Sequence, residues 1–224
     1  MPITIRLMGT GDVAALVSLH AQVFPSYNST LLGRAYLSAL YGTLAQSPAC
    51  LSTVATDGDR IAGWVGGVLD YPQYHIDLTR RSWYRLPAIV INALRRKPSL
   101  IGAGARLYAR AIVNKAHTLW GDVSKRFLSR ANYGGPQRQE TTATVPTPTA
   151  HLLVIGVAPG LQSRGLGQGI MADFHHRVRA LGYAAVSLTT FADNAAANRA
   201  FQKAGYQLVS SQGGTNRYCK YLTE

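Results

Sequence analysis

Ile3, Ile5 and Leu7 alternate with polar residues, the two-residue period of a strand with one buried face. Behind them Val13, Leu16, Val17 and Leu19 recur at helical spacing, with Asp12 placed to cap that helix and Pro25 to interrupt it. A second helix is predicted from Leu32, Tyr36, Leu37, Leu40 and Tyr41, capped by Ser29 or Thr30. Two apolar stretches, 51–55 and 61–69, flank Asp57-Gly58-Asp59, good chemistry for a hairpin turn. The first 70 residues therefore predict strand, helix, helix, strand, strand.

From 71 to 130 the periodicity weakens, and Pro87 and Pro98 divide basic stretches of helical character. One of these aligns Arg106, Arg110, Asn114 and His117 on one side. Residues 134–148, with Gly-Gly-Pro and Val-Pro-Thr-Pro, predict a loop. Glu140 lies in it, placed to close over a substrate. The pattern sharpens again at 152–157, an apolar strand that stops at Pro159-Gly160. Ile170, Phe174, Val178 and Leu181 then mark a helix ending at Gly182, 184–190 a strand, and 194–204 a helix ending at Gly205. The segments 206–210 and 217–222 close the chain as a pair of strands. The result is a mixed α/β layout. His175 and His176, in mid-helix, read as surface residues.

A chain of 224 residues suits one buried domain better than two, and 47% apolar with 15% charged residues excludes a disordered polymer. No apolar run approaches the ~20 residues of a membrane-spanning helix, and no signal peptide is evident. Cys50 and Cys219 stand alone, without metal-ligand or redox spacing, as thiols of a reducing compartment; the expectation is a cytoplasmic protein with no metal.

Charge changes the picture more. Of 23 Lys and Arg, 12 fall between Arg80 and Arg130, accompanied by one acid, Asp122. A field so concentrated favours an anionic partner such as a phosphorylated substrate or an acidic membrane surface met through 80–130; a solvated basic face is the competing reading. No motif that reads nucleic acid is present, so nucleic acid ranks last.

The candidate chemistry lies in Gln162-Ser163-Arg164-Gly165-Leu166-Gly167-Gln168-Gly169, between the apolar strand and its helix. Glycine lets backbone N–H groups approach a ligand closely, a helix N-terminus supplies free donors and a favourable dipole, and Arg164 adds a charged donor. Such a segment can cradle a pyrophosphate. It lacks the Gly-Lys-Ser/Thr of a nucleotide-triphosphate loop and the spacing of a dinucleotide fingerprint.

The stretch resembles the GNAT superfamily of N-acetyltransferases. Gln162, Gly165 and Gly167 match its signature, Val157-Ala158-Pro159 precede it, and Asn194-Ala195-Ala196-Ala197, Phe201 and Gly205-Tyr206 match its second cofactor segment. The resemblance covers 151–206 closely. It implies one domain over 1–224 with a central twisted mixed sheet of six to seven strands and helices on both faces. A basic, helical insertion and loop at about 71–149 would have no counterpart in the minimal fold.

The resemblance also implies roles. Amides from Ser163 to Gln168 would hold the coenzyme A pyrophosphate, and the backbone at Gly156 and Val157 would pair with pantetheine and offer an oxyanion donor at a bulge. Asn194 would bind the pantetheine arm, or serve as a helix cap, or both. Where many relatives place a tyrosine that protonates the leaving sulfur, this chain has Phe201, which has no proton to give. His151 stands where some relatives carry a glutamate base, with an ordinary strand-edge histidine as the competing reading. Asp70, at the end of the third strand, is the second candidate to bind or deprotonate the amine.

The function implied is direct transfer of an acetyl group from acetyl-CoA to a primary amine. The acceptor favoured is small or glycan-type, for instance a nucleotide-linked amino sugar. A peptide amine is the alternative, and a CoA-binding module without catalysis, on a membrane or nucleic acid, is the third. Peripheral membrane attachment and a homodimer are left open.

Overall fold

The computed structural model describes residues 3–96 and 148–222. The helix through Arg106 to His117, Pro98, Glu140 and nearly all of the 134–148 loop lie outside the described residues. Strand β1 (Thr4–Leu7) leads through a 3-10 turn into α1 (Val13–Val23), the short α2 (Asn28–Leu31) and α3 (Arg34–Gln46). The hairpin β2 (Cys50–Asp57) and β3 (Arg60–Val68) precedes α4 (Tyr71–Ser82) and α5 (Leu86–Arg96). After the undescribed segment come β4 (Thr149–Val157), α6 (Leu166–Ala180), β5 (Ala185–Phe191), α7 (Ala195–Lys203), β6 (Gln207–Gln212) and β7 (Thr215–Tyr221).

The seven strands form one mixed sheet in the order β1-β2-β3-β4-β5-β7-β6. All neighbours are antiparallel except β4 and β5. Helices cover both faces, as expected. On one, Leu16 and Val17 of α1, Leu37 and Tyr41 of α3 and Leu78 of α4 pack on Val54, Trp64 and Val68. On the other, Ile170, Phe174 and Val178 of α6 and Phe201 of α7 pack on Val65, Leu152 and Leu188. The glycines of β3 are sockets for these helices. A Cβ on Gly67 would sit 2.3 Å from the Phe174 ring, and one on Gly66 2.8 Å from Leu44 Cδ1.

Local details differ from the periodicity. Ser29 and Thr30 do not cap the long helix; they lie inside α2, and Gly33 at φ +90° breaks the chain before α3. Asp12 caps the 3-10 turn instead of α1, accepting from Gly9 N at 2.7 Å while Arg6 grips both its oxygens at 2.7 Å. That pairing holds the Asp12 carboxyl below its ordinary range. Pro87 marks the division expected between two helical stretches: α4 ends at Ser82, and Pro87 is the second residue of α5, where a missing N–H costs nothing. His175 is no surface residue. It is buried, with Nε2 2.7 Å from Tyr206 Oη, because α6 turns this position toward the residue that leads into β6, a contact between distant segments that leaves no local trace; His176 is exposed.

Candidate active site

Strands β4 and β5 pair over four residues only, from Thr149 against Ala185 to Leu152 against Leu188. Beyond that, β4 continues on β3 as far as Val157 and β5 continues on β7 as far as Phe191, without pairing to each other. The sheet is thus notched at its middle. Leu153, Ile155 and Val157 are half-exposed on a strand that lies fourth of seven, and Thr189 is exposed on its neighbour.

The backbone on the β4 side of the notch turns hydrogen-bonding groups toward it; among the described residues the Val157 carbonyl is taken by Gln162 Nε2. Ala158 N donates to Ala62 O at 2.8 Å, so antiparallel alternation turns Gly156 toward β3 and the N–H and C=O of Val157 and Ile155 into the notch. The expected bulge lies elsewhere. The register shifts between Gly66 and Gly67, leaving Leu153 as the extra residue, three positions before Gly156. Gly156 is there for space: a Cβ would meet Trp64 Cη2 at 2.3 Å.

At the top of the notch the chain winds through Gly160 at φ +83°, Ser163 at φ +63° and Gly165 at φ +81° before entering α6. Ser163 is the one side-chain-bearing residue among those described with positive φ, a conformation that costs energy without a local reason. Gly169 N is the first amide to return into the helix, on Gly165 O at 3.1 Å. The amides of Gly165, Leu166, Gly167 and Gln168 are those that helix geometry leaves over. A Cβ would meet nothing within 4 Å at Gly165 or Gly169, and only Val157 Cγ2 at 3.6 Å on Gly167. Internal packing therefore does not demand glycine at 167 or 169, although each costs a helix ~1 kcal/mol relative to alanine. The glycines leave open space in front of the four amides, a combination that could hold a pyrophosphate.

The side chains of this segment divide. Arg164 is exposed beside the amides, whereas Gln162 Nε2 donates to Val157 O at 3.1 Å and ties the turn to the notch wall. Gln168 Nε2 donates to Ala200 O at 2.8 Å, which links α6 to α7 and leaves its backbone N–H as its contribution to the cradle.

Asn194 is a helix cap: its Oδ1 accepts from Ala197 N at 3.1 Å. Its Nδ2 donates at 3.3 Å to Tyr27 Oη, and Tyr27 packs between Phe24 and Phe191. The segment before α2 therefore reaches across to the end of β5. Phe201 is buried against Tyr206 and Tyr218, ring centres 5.9 and 6.4 Å away. Sequence reasoning missed both Tyr27, which sits in a proline-broken stretch without periodicity, and Asn198. The latter is a hub: its Nδ2 donates to the carbonyls of Phe191, Ala192 and Asn194, and its Oδ1 accepts from Asn216 and Tyr218.

The floor of the notch, on the face away from α6, holds His151. Ser187 Oγ donates to Ala150 O at 3.5 Å, so it accepts from His151 Nδ1 at 3.0 Å. In the tautomer that this pairing favours, Nδ1 carries the proton and Nε2 the lone pair. Burial, and then the Arg217 charge, push His151 down to about 4, so it is neutral at pH 7. Tyr71, the first residue of α4, leans on it with ring centres 5.2 Å apart. Asp70 is exposed, with Oδ1 accepting from Gln73 N at 3.0 Å to cap α4. The same carboxylate lies near the floor but is engaged by the helix.

Residues 129–206 match the model of the Acetyltransferase (GNAT) family. No curated protein matches the chain significantly. Among solved structures, SsHAT is similar at 19% identity and TM-score 0.62, with all of both chains covered. The ribosomal-protein-S18-alanine N-acetyltransferase of Escherichia coli is similar at 12% identity and TM-score 0.55, covering 100% of this chain and 96% of that one. PaiA N-acetyltransferase of Thermoplasma acidophilum, solved with coenzyme A, follows at 10% identity and TM-score 0.56, with 99% of each covered. At such identities the likeness is one of fold.

Proposed function

We propose that this chain, whose residues 129–206 match the Acetyltransferase (GNAT) family model, transfers an acetyl group from acetyl-CoA to the primary amine of a small or glycan-type acceptor. The observation that carries this is the notch in the sheet, which opens directly beneath four unengaged helix amides. An extended thiol ester carrying a diphosphate matches both parts: anionic at one end and amide-bearing along its arm. The amides of Ser163 to Gln168, with Arg164, would take the diphosphate. Val157 and Ile155 would pair with the arm from the β4 side, and Asn194 would meet it from the β5 side.

Direct transfer then needs three events. The acceptor ammonium loses a proton to His151 Nε2, which is unprotonated at neutral pH and held in the right tautomer by Ser187. The amine nitrogen attacks the thioester carbonyl, and the oxygen gains charge opposite the Val157 N–H. The C–S bond breaks as the N–C bond is completed. Phe201 has no proton to give, so the sulfur leaves as thiolate; the second proton, shed by the nitrogen as the amide forms, passes to solvent, and the thiolate takes a proton back from it. A positioned acid is worth ~10²–10⁴-fold in such steps, so turnover should be modest. Asp70 is better read as a helix cap that helps place Tyr71.

The acceptor class is argued from charge. The chain is at +13, which favours anionic molecules over basic peptides. The test is thiol release from acetyl-CoA in the presence of amino sugars, sugar phosphates, free amines and peptides. Faster turnover of peptides would favour the alternative of a peptide amine. Binding of CoA with no transfer to any amine would favour a module without catalysis.

A specific surface favours a second reading, of where the protein works. Trp83 is 51% exposed and Tyr84 58%, at the junction of α4 and α5. Arg80, Arg81, Arg85 and Arg95 are near them in sequence, and Arg85 lies over the Tyr84 ring. Aromatic residues flanked by arginines suit the headgroup layer of an anionic membrane. No helix among the described residues is long and apolar enough to cross one.

A further inference from the structure

The floor of the notch contains one cation that the reading above does not use. His151 of β4, Ser187 of β5 and Cys219 of β7 lie in one row across three strands, by strand register. Two residues along β7 from Cys219, on the same face, stands Arg217, paired with Thr189. Thr189 is the first residue of β5 beyond its last pairing with β4, so Arg217 stands at the point where the sheet opens. The face is the one away from α6 and α7, because Tyr218 and Leu188 occupy the opposite face.

Arg217 is half-buried and has no carboxylate partner among the described residues. Asp70, which precedes Tyr71, is spent on the cap of α4. Elsewhere in the described chain, Arg177 meets Asp173 at 2.8 Å and Arg6 meets Asp12 at 2.7 Å, while the half-buried Arg81 and Arg85 donate to the uncharged oxygens of Gln46, Tyr84 and Ala35. Around Arg217 the neighbours are uncharged polar groups, His151, Tyr71 and Thr189. Its charge is felt by the first two: it opposes the proton on His151 and favours loss of the Tyr71 proton, although burial pushes Tyr71 up to about 12. A guanidinium held over a cleft without an internal counter-ion is arranged for an external one.

We infer that the acceptor bears an anionic group, carboxylate or phosphate, which pairs with Arg217 while its amine faces His151 Nε2. The inference rests on the acetyltransferase reading and narrows it to amines that are also acids. Arg217 is then the residue that selects the substrate, and His151 the one that takes its proton. The two roles conflict in free solution, since a nearby cation discourages an ammonium. An anionic group on the acceptor neutralises Arg217 as it binds and removes that repulsion, so a neutral amine is disfavoured both in binding and in orientation.

The experiment compares matched pairs of acceptors on the intact protein with acetyl-CoA. One pair is an amino acid and its amide; the other is glucosamine 6-phosphate and glucosamine. The anionic member of at least one pair should show a kcat/KM at least 10-fold above its neutral partner, and the pair that responds identifies carboxylate or phosphate. In Arg217→Gln that ratio should collapse toward one, chiefly through KM of the anionic member, while Arg217→Lys keeps part of it. Equal turnover of both members by the natural sequence overturns the inference but leaves the acetyltransferase reading standing. So does an Arg217→Gln variant, shown folded by circular dichroism, that shifts the pH profile of both members equally; Arg217 would then act on His151 alone. Absence of transfer to every amine, with no calorimetric binding of acetyl-CoA, overturns the underlying reading and the inference with it.

Discussion

Gly156 and Trp64 face each other across β4 and β3 so closely that no methyl group fits between them: a Cβ on Gly156 would lie 2.3 Å from Trp64 Cη2. The indole is fully buried, and His20, Phe24 and Tyr41 enclose it with ring centres 6.1–6.3 Å away. It has nowhere to retreat. The wall of the notch is therefore positioned by an aromatic cluster on the α1 and α3 side of the sheet.

Replacement of Gly156 by alanine should destabilise the fold by ~1–3 kcal/mol, the usual cost of forcing a methyl group into a packed core. Urea denaturation measures this. The strand should also shift toward the notch, so affinity for CoA falls. A Gly156→Ala protein with unchanged midpoint would show that Trp64 is free to move.

Gly165 tests the cradle without touching the core. Its φ of +81° is the left-handed region, and a Cβ there meets nothing within 4 Å. Gly165→Ala should cost ~1–2 kcal/mol in backbone strain, with no steric component. Calorimetry with CoA should show weaker binding by more than that loss of stability implies, because the strain is relieved by turning the amides away.

Asn198 is invisible to periodicity but central to the structure. Its amide serves five partners and fixes the turn from β5 into α7, on which Asn194 sits. Asn198→Ala strands buried groups at ~1–3 kcal/mol each where water cannot replace the bond. Thermal denaturation should show a large loss. Asn198→Asp, which has no N–H to donate, should be no better.

Three histidines set the acid limit of stability. Burial is the leading cause that pushes His20, His151 and His175 down to about 4, from an ordinary value of 6.5. The unfolded chain therefore binds more protons than the folded one between pH 6.5 and 4. Stability is complete above pH 6.5 and falls as the pH drops toward 4. The urea midpoint should decline through this window, and His175→Gln should make the decline shallower. A midpoint constant from pH 7 to 5 would contradict the burial of these rings.

The surface at the α4–α5 junction is tested by sedimentation with vesicles. The protein should bind vesicles containing phosphatidylglycerol and ignore pure phosphatidylcholine, with binding lost at high salt. Substitution of Trp83 and Tyr84 by alanine should reduce binding severalfold. Equal binding by this double variant would remove the aromatic contribution.

Much of this was legible from residue order. Alternation located β1, Asp57-Gly58-Asp59 located the β2–β3 hairpin, and Gly182 and Gly205 marked the ends of α6 and α7. The glycines after Gln162 marked the turn into α6, because a positive φ leaves a trace in residue type. What stayed hidden depends on contacts between distant segments. Nothing near Tyr27 announces its bond to Asn194, 167 residues away. Nor does the alternation along β7 reveal that Arg217 stands where two other strands part. The bulge at Leu153 eluded prediction for a similar reason, since glycine at 156 serves a tryptophan and not a kink.

The parting of β4 from β5 gives the molecule a border in its interior. Proteins generally guard such rims at their periphery with charge, proline or brevity, since bare peptide groups recruit any passing chain. Here the rim is sheltered by helices on either side, so its appetite is directed at one slender guest. Occupancy should then stiffen the whole molecule, because the visitor knits two half-sheets that are otherwise joined by only four residue pairs.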